Sequence, residues 1–184
     1  SGGTLVHAYG DPWIIEGQGT LALEATAQLS ARGVAAPTDI IACCGGGGLS
    51  AGVALACLNA RITAVEPEGW DDVTRSLAAG HILSVEDLSY PTPCDALQTP
   101  QTWPINFAVL QARGVSGVVV TPAEIRSAMR VAFEGLHLVI EPGGAAALAA
   151  VIAGKAQIGP VPLVTLSGGN VDAAQFAEIL MEKA

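Results

Sequence analysis

Apolar residues are spaced in two different ways along the chain, and these spacings predict alternating strands and helices. The runs at 39–44 (DIIACC) and 62–66 (ITAVE) are almost uninterrupted, which is typical of strands buried on both faces of a sheet. Between them, residues 49–59 predict a helix. Strand, helix and strand together form a βαβ unit, whose right-handed crossover places its two strands parallel in one sheet.

The remaining segments continue this alternation. Residues 67–114 contain five prolines, so we expect loops and short helices there. Thr121 and Glu124 form a capping box, and the apolar residues behind it recur every three or four positions as far as Leu136. Further predicted elements are helices over 19–29, 143–153 and 172–183, and strands over 115–120 and 161–166. The pattern predicts an α/β fold with a twisted, mostly parallel sheet and helices on both faces, with no linker that would divide residues 1–184 into two domains.

Charge and composition exclude several kinds of partner. The formal net charge is −9, and the eight lysines and arginines are dispersed, which argues against nucleic acid. No run of 18 residues lacks glycine, proline and charge, so no membrane contact is expected. The first residues lack the basic and apolar regions of a signal peptide, and the four cysteines form no CxxC pair. We therefore expect buried, reduced thiols and a cytoplasmic location.

A run of four glycines follows the first buried strand. Its members, called the glycine loop below, are Gly45, Gly46, Gly47 and Gly48. Glycine inside a helix or strand costs roughly 0.5–1 kcal/mol relative to alanine, and a tight turn needs only one or two. Ligands of open α/β sheets bind at the carboxyl ends of the strands, where this loop is predicted to lie. No lysine follows the glycines, which excludes a P-loop.

Three interpretations of the glycine loop are compatible with these residues. Gly46, Gly48 and Ala51 fit a loose dinucleotide fingerprint, with Glu66 about 20 residues later as the ribose-binding acid. A single phosphate bound by loop amides and a helix N-terminus is the second interpretation. The third is a strand-to-helix turn without a ligand.

Six segments, taken together, carry a family resemblance. In chain order they are IEGQGTLALE, CCGGGGLSAG, AVEPEGWDD, CDALQT with TWPI after it, IEPGGAAALAA and LSGGNVD. In this order and spacing they resemble the serine/threonine dehydratases and serine racemases, which are fold-type II pyridoxal-phosphate enzymes. The resemblance implies the large domain of the tryptophan synthase β-like fold. It also implies that this chain corresponds to the C-terminal part, with the small domain and the lysine-bearing segment outside it.

The resemblance implies a set of cofactor-binding residues. The glycine loop would bind the cofactor phosphate through backbone amides, and the Ser167 hydroxyl would contact the pyridine nitrogen. The other candidates are Gly168, Ala96, Glu141 and Tyr9. Ala96 replaces a glycine that is usual in the family, and Glu141 matches a buried carboxylate near the cofactor. Without the family context, LSGGN could be an ordinary turn and Glu141 a helix N-terminal acid.

A divalent-cation site is implied as well. Glu66, the Trp70 carbonyl and Asp72 match this site, and such hard oxygen ligands suit Mg²⁺ or Ca²⁺. The alternative is a solvated acidic loop.

The expected activity requires a Schiff-base lysine, and no lysine of this chain occupies the corresponding position. Its two lysines, Lys155 and Lys183, do not occupy the position of the family's Schiff-base lysine. We therefore expect part of a lyase that dehydrates and deaminates L-threonine, L-serine or a related β-hydroxy amino acid, inactive alone. The alternatives are an amino-acid racemase of the same fold and a non-catalytic cofactor-binding subunit. Expected partners are the small amino-acid substrate and the N-terminal part, on the same polypeptide or a second chain, in a homodimer or homotetramer.

Overall fold

The computed structural model of the protein describes residues 2–182, which form a four-stranded sheet. The strands are β1 (Asp39–Cys43), β2 (Arg61–Pro67), β3 (Ser116–Val120) and β4 (Pro162–Val164), in the order β3-β2-β1-β4. Each pairing is parallel: Ile41 of β1 lies opposite Thr63 of β2 and Val164 of β4. The predicted α/β fold with a parallel sheet is therefore confirmed.

Helices connect the strands and differ from the predicted helices mainly at their ends. They are α1 (Pro12–Ala31), α2 (Gly48–Ala56), α3 (Asp72–Ala79), α4 (Pro104–Ala112), α5 (Pro122–Leu136), α6 (Pro142–Ile152) and α7 (Ala173–Met181), with a short 3-10 helix over Asp95–Leu97. The first helix starts at Pro12 rather than at residue 19, because the Asp11 side chain accepts a hydrogen bond from the Trp13 amide and caps it. The last strand is shorter than the predicted 161–166.

The sheet has a hydrophobic core on each face. Ile41 and Cys43 of β1 pack with α5, α6 and α7, whereas Ile40 and the adjoining Cys44 pack with α1 and α2. This alternation follows from the two-residue period of a strand. The prediction of helices on both faces is confirmed.

The cysteines agree in part with the expectation of buried, reduced thiols. Cys43, Cys44 and Cys94 are buried, Cys57 is partly exposed, and none forms a disulfide. No helix within residues 2–182 is both long and apolar enough to cross a membrane.

Candidate functional site

The glycine loop lies at the carboxyl edge of the sheet, between the end of β1 and the start of α2. Gly47 is the N-cap of α2 and has a φ of +90°, a left-handed conformation that favours glycine. A Cβ atom on Gly46 would lie 2.2 Å from the ring of Tyr9, and one on Gly45 would lie 3.2 Å from the Leu97 Cα. Backbone conformation and close approach therefore both require glycine here.

The backbone amides of this loop are unpaired. The flanking amides are bonded, since Cys44 donates to the Val65 carbonyl and Ala51 donates to the Gly47 carbonyl. Between them, the six amides of residues 45–50 donate to no acceptor within the part of the chain that the structure describes. Unpaired amides at a helix N-terminus carry partial positive charge and bind anions.

A cleft of about 280 Å³ opens onto these amides. Tyr9 comes from the segment before α1, and Ile14 and Gln18 come from α1 itself. Ala96 and Leu97 of the 3-10 helix form another part of the lining. The predicted residues Tyr9 and Ala96 are thus brought to the same cleft as the glycine loop.

Two buried polar side chains that do not line the cleft bond to the glycine loop. The Gly46 carbonyl accepts hydrogen bonds from Thr102 Oγ1 at 3.1 Å and from Asn106 Nδ2 at 2.7 Å. Asn106 Nδ2 also donates to the Tyr9 carbonyl at 2.9 Å. The sequence analysis missed both residues. The available signal was that Asn106 lies one helical turn from the buried Leu110, on the apolar face of α4.

The second predicted loop follows β4 and lies beside the first. Ser167 is exposed, and its hydroxyl oxygen is 3.1 Å from the Cys43 sulfur, which in turn lines the cleft. Glu141 donates its backbone amide to the Gly168 carbonyl, and its carboxylate accepts a hydrogen bond from the Asn170 amide at 2.9 Å. Two hydrogen bonds therefore connect this loop to Glu141, the N-cap residue of α6.

The expectation for Glu141 needs a correction. Glu141 is half-buried rather than buried, and it is the N-cap of α6 without a side-chain bond to that helix. Its carboxylate packs closely on Gly168, where a Cβ atom would lie 2.5 Å from Glu141 Oε1. A side chain at residue 168 would displace the carboxylate, so Gly168 and Glu141 depend on each other.

These two loops fit pyridoxal phosphate. The unpaired amides and the space kept free of side chains at the glycine loop suit a phosphate, and the exposed Ser167 hydroxyl suits a ring nitrogen. Neither loop presents a side-chain cation, so backbone amides would carry the anion binding.

The predicted magnesium or calcium site at Glu66, Trp70 and Asp72 is not supported. Within residues 2–182, no group of three or more histidine, cysteine, aspartate or glutamate side chains could hold a metal ion. The Trp70 indole donates to the Tyr90 carbonyl and packs in the interior. Asp72 Oδ2 already accepts the Thr102 amide at 2.7 Å.

Glu66 also does not fit the alternative interpretation of a solvated acidic loop. It is fully buried, and its carboxylate accepts the Val73 amide at 2.9 Å and both the amide and the hydroxyl of Thr74 at 2.6 Å. Burial raises the pKa of Glu66 to about 8 and that of Asp72 to about 6. Because Glu66 is buried, it cannot bind the ribose of a dinucleotide. The dinucleotide interpretation of the glycine loop therefore loses its main support.

Lys155 does not line the cleft. Lys155 Nζ donates to the Glu124 carboxylate at 2.8 Å and to the Val119 carbonyl at 3.0 Å. Lys183 lies outside the described residues.

Comparisons with known proteins agree with this geometry. The chain is 37% identical to a serine racemase of Arabidopsis thaliana, over 94% of the chain and 53% of that protein. It is 36% identical to a β-hydroxyaspartate dehydratase of Paracoccus denitrificans, over 94% of the chain and 54% of that protein. The solved structure of a threonine deaminase from T.th. is 39% identical with a TM-score of 0.85, over 91% of this chain and 62% of that one. The chain spans about half the length of the curated relatives it matches.

The family assignment rests on a model that covers most of the chain. A family model described as pyridoxal-phosphate dependent enzyme matches residues 1–168, a range that includes the glycine loop and Ser167. The resemblance read from the sequence motifs is confirmed by this match and by the similarity to the threonine deaminase structure. The chain therefore belongs to the fold-type II pyridoxal-phosphate-dependent enzymes.

Proposed function

We propose that the chain is the cofactor-binding part of an ammonia-lyase that converts L-serine, L-threonine or a related β-hydroxy amino acid to a 2-keto acid and ammonia. The observation that carries the proposal is the row of unpaired amides at residues 45–50, in a cleft beside the exposed Ser167. The similarity to a β-hydroxyaspartate dehydratase and a threonine deaminase supports the dehydrating activity.

Each part of the site has a distinct role in this proposal. The amides of the glycine loop bind the phosphate, and Tyr9 and Ala96 border the cofactor. Ser167 contacts the pyridine nitrogen, and Glu141 and Gly168 hold the Ser167 loop in place. When bound, pyridoxal phosphate supplies an electron sink that stabilises negative charge on the α-carbon of an amino acid.

The hydroxyl of Ser167 suits elimination. A hydroxyl can donate to an unprotonated nitrogen, whereas an aspartate at this place would keep the nitrogen protonated and strengthen the electron sink. The side chain is exposed and is bonded only weakly, to a thiol, so it is available to a ligand.

The lysine that binds the cofactor covalently is proposed to come from outside these 184 residues, on the same polypeptide or on a second chain. Lys155 already donates to Glu124 and Val119, which lie on α5 and β3 rather than at the cleft. The chain alone would then be inactive. A homodimer or homotetramer in the cytoplasm remains part of the proposal, on the strength of the family resemblance.

A racemase of the same fold is the second candidate function. The 37% identity to a serine racemase favours it. Racemisation and elimination both begin with loss of the α-proton, so the residues of this chain serve either reaction. A non-catalytic cofactor-binding subunit is the third candidate, because Lys155 is already engaged.

A substrate panel tests the proposal on the complete native protein, which includes the lysine-bearing part outside these 184 residues, supplied with pyridoxal phosphate. Serine, threonine and 3-hydroxyaspartate are each incubated, and the 2-keto acid, the ammonia and the chirality of the remaining amino acid are measured. We expect equal amounts of 2-keto acid and ammonia. Formation of the opposite enantiomer without a 2-keto acid would favour the racemase, and no turnover in the presence of bound cofactor would favour the subunit.

A pair of serine variants links this activity to the site. Ser167→Ala is expected to slow 2-keto acid formation by about tenfold, as expected for one lost hydrogen bond. Ser30→Ala, at an exposed position of α1, is the matched control and should keep the parent rate.

A further inference from the structure

We infer that Asn106 is a positioning residue, which orients the peptide between Gly46 and Gly47 so that the Gly47 amide faces the phosphate. The inference rests on the proposed function, because it assigns the residue that prepares the same phosphate site. Asn106 lies on α4 and does not line the cleft.

The argument starts from the planarity of a peptide unit. In a trans peptide the carbonyl and the following N–H point in opposite directions, and the structure contains no cis peptide within the described residues. The Gly46 carbonyl points to Asn106 Nδ2 and Thr102 Oγ1, and both of these residues are fully buried and do not line the cleft. The Gly47 N–H of the same unit is therefore directed away from these donors. Since Gly47 lines the cleft and neither donor does, that N–H faces the cleft.

Glycine makes such a restraint necessary. A Gly–Gly peptide can rotate between several conformations because no Cβ atom restricts it. Four successive glycines keep the loop open for a ligand, and they also leave its amide directions undetermined. Two hydrogen bonds to one carbonyl remove that freedom before the ligand binds, which lowers the entropic cost of binding.

The same side-chain amide also bonds a second segment that lines the cleft. Asn106 Nδ2 has two hydrogens, and the second bond goes to the Tyr9 carbonyl at 2.9 Å. Tyr9 is in contact with Gly46, so one NH₂ group fixes the spacing between the two segments that meet there.

The oxygen of this side chain shows that Asn106 is a poor choice for stability alone. Asn106 is fully buried, and its Oδ1 has no hydrogen-bond partner in the described part of the chain. A buried acceptor without a partner is destabilising, and an apolar side chain of similar size would remove it, which offsets the loss of the donor to the Tyr9 carbonyl. Stability and ligand binding should therefore respond differently when the residue is changed.

The experiment compares two variants with a matched control. Asn106→Leu removes both bonds, whereas Thr102→Val removes only the hydroxyl bond to Gly46 and keeps the backbone bond to Asp72. Thr63→Val is the control, because Thr63 is also a buried threonine but bonds Ser116 in the sheet. Dissociation constants are measured on the native protein for pyridoxal phosphate, for pyridoxal without phosphate and for inorganic phosphate. Melting temperatures are measured in parallel.

A selective loss is expected. The Kd for pyridoxal phosphate and for inorganic phosphate should rise about tenfold in Asn106→Leu, which loses two hydrogen bonds. It should rise about threefold in Thr102→Val, which loses one. The Kd for pyridoxal and the melting temperature should change little, and Thr63→Val should match the parent protein in every Kd.

The outcomes separate the two claims. If the parent protein binds pyridoxal phosphate and both variants bind it equally well, the inference on Asn106 is wrong. The same holds if the variants lose pyridoxal and pyridoxal phosphate to the same extent, because that loss indicates a general structural role. If the parent protein binds neither pyridoxal phosphate nor inorganic phosphate, the proposed function itself is wrong.

Discussion

At the scale of single residues, the site contains glycines whose neighbours leave no room for a side chain. The ring of Tyr9 occupies the space that a Gly46 side chain would need, and the Glu141 carboxylate does the same at Gly168. Both glycines are therefore set by contacts with residues that are distant in sequence. A helix glycine such as Gly17 is different, because a Cβ atom there would meet nothing within 4 Å.

This contrast gives a stability prediction. Gly46→Ala should lower the free energy of unfolding by about 1–3 kcal/mol, the usual cost of overpacking, because the new methyl group collides with Tyr9. Gly17→Ala, the matched control in α1, should raise it by about 0.5–1 kcal/mol through helix propensity. Denaturant unfolding of both variants in the same background measures the difference. A Gly46→Ala variant as stable as the parent protein would mean that Tyr9 does not rest on the loop.

Some site residues could be predicted from the sequence, and others could not. The glycine loop and Ser167 were identifiable because the family motifs contain them. Asn106 was not identified, because its role depends on bonds to Gly46 and Tyr9 that span 60 and 97 positions. The structure does not support the predicted metal site at Glu66 and Asp72, and a motif does not reveal that their oxygens accept backbone amides.

At the scale of elements, a helix cap made the start of α5 predictable. The capping box of Thr121 and Glu124 was evident in the sequence and is formed in the structure. The start of α1 was missed because the apolar spacing becomes regular only later, although Asp11 and Pro12 carry the signals of a helix start. The bond between Glu124 and Lys155 adds a tertiary contact to the cap and could not be predicted from local sequence.

The Glu124 cap predicts a pH dependence of stability. Burial alone would raise the pKa of Glu124, but hydrogen bonds from Lys155 and Thr121 outweigh it and lower the pKa below its ordinary value of 4.5. A lowered folded-state pKa contributes stability above pH 4.5, and this contribution is lost as the pH falls through the folded-state value. The melting temperature of the parent protein should exceed that of Glu124→Gln above about pH 5.5, and the gap should narrow below pH 4.5.

A control on the same helix completes this experiment. Glu134→Gln changes an exposed glutamate of α5 that makes no ion pair with any residue in 2–182. Its melting temperature should follow that of the parent protein at each pH. A gap for Glu124→Gln that stays constant down to pH 3 would contradict the assigned role of the carboxylate.

At the scale of the whole molecule, strand order creates the site. β1 lies between β2 and β4, so the loops after β1 and β4 become neighbours. This arrangement brings Cys43 and Ser167 together across 124 positions. The βαβ pattern predicted a parallel sheet, but it contained no information on the pairing of β4 with β1, because that contact is not local. The resemblance to a known family supplied the link between the two loops.

The central claim is that the glycine loop binds the phosphate of pyridoxal phosphate through its backbone. A crystal structure of the native protein with pyridoxal phosphate tests this most directly. The account predicts phosphate oxygens at about 2.7–3.2 Å from several amide nitrogens of residues 45–50, with the pyridine nitrogen beside the Ser167 hydroxyl. A phosphate bound elsewhere, or a cofactor attached to Lys155, would contradict the account.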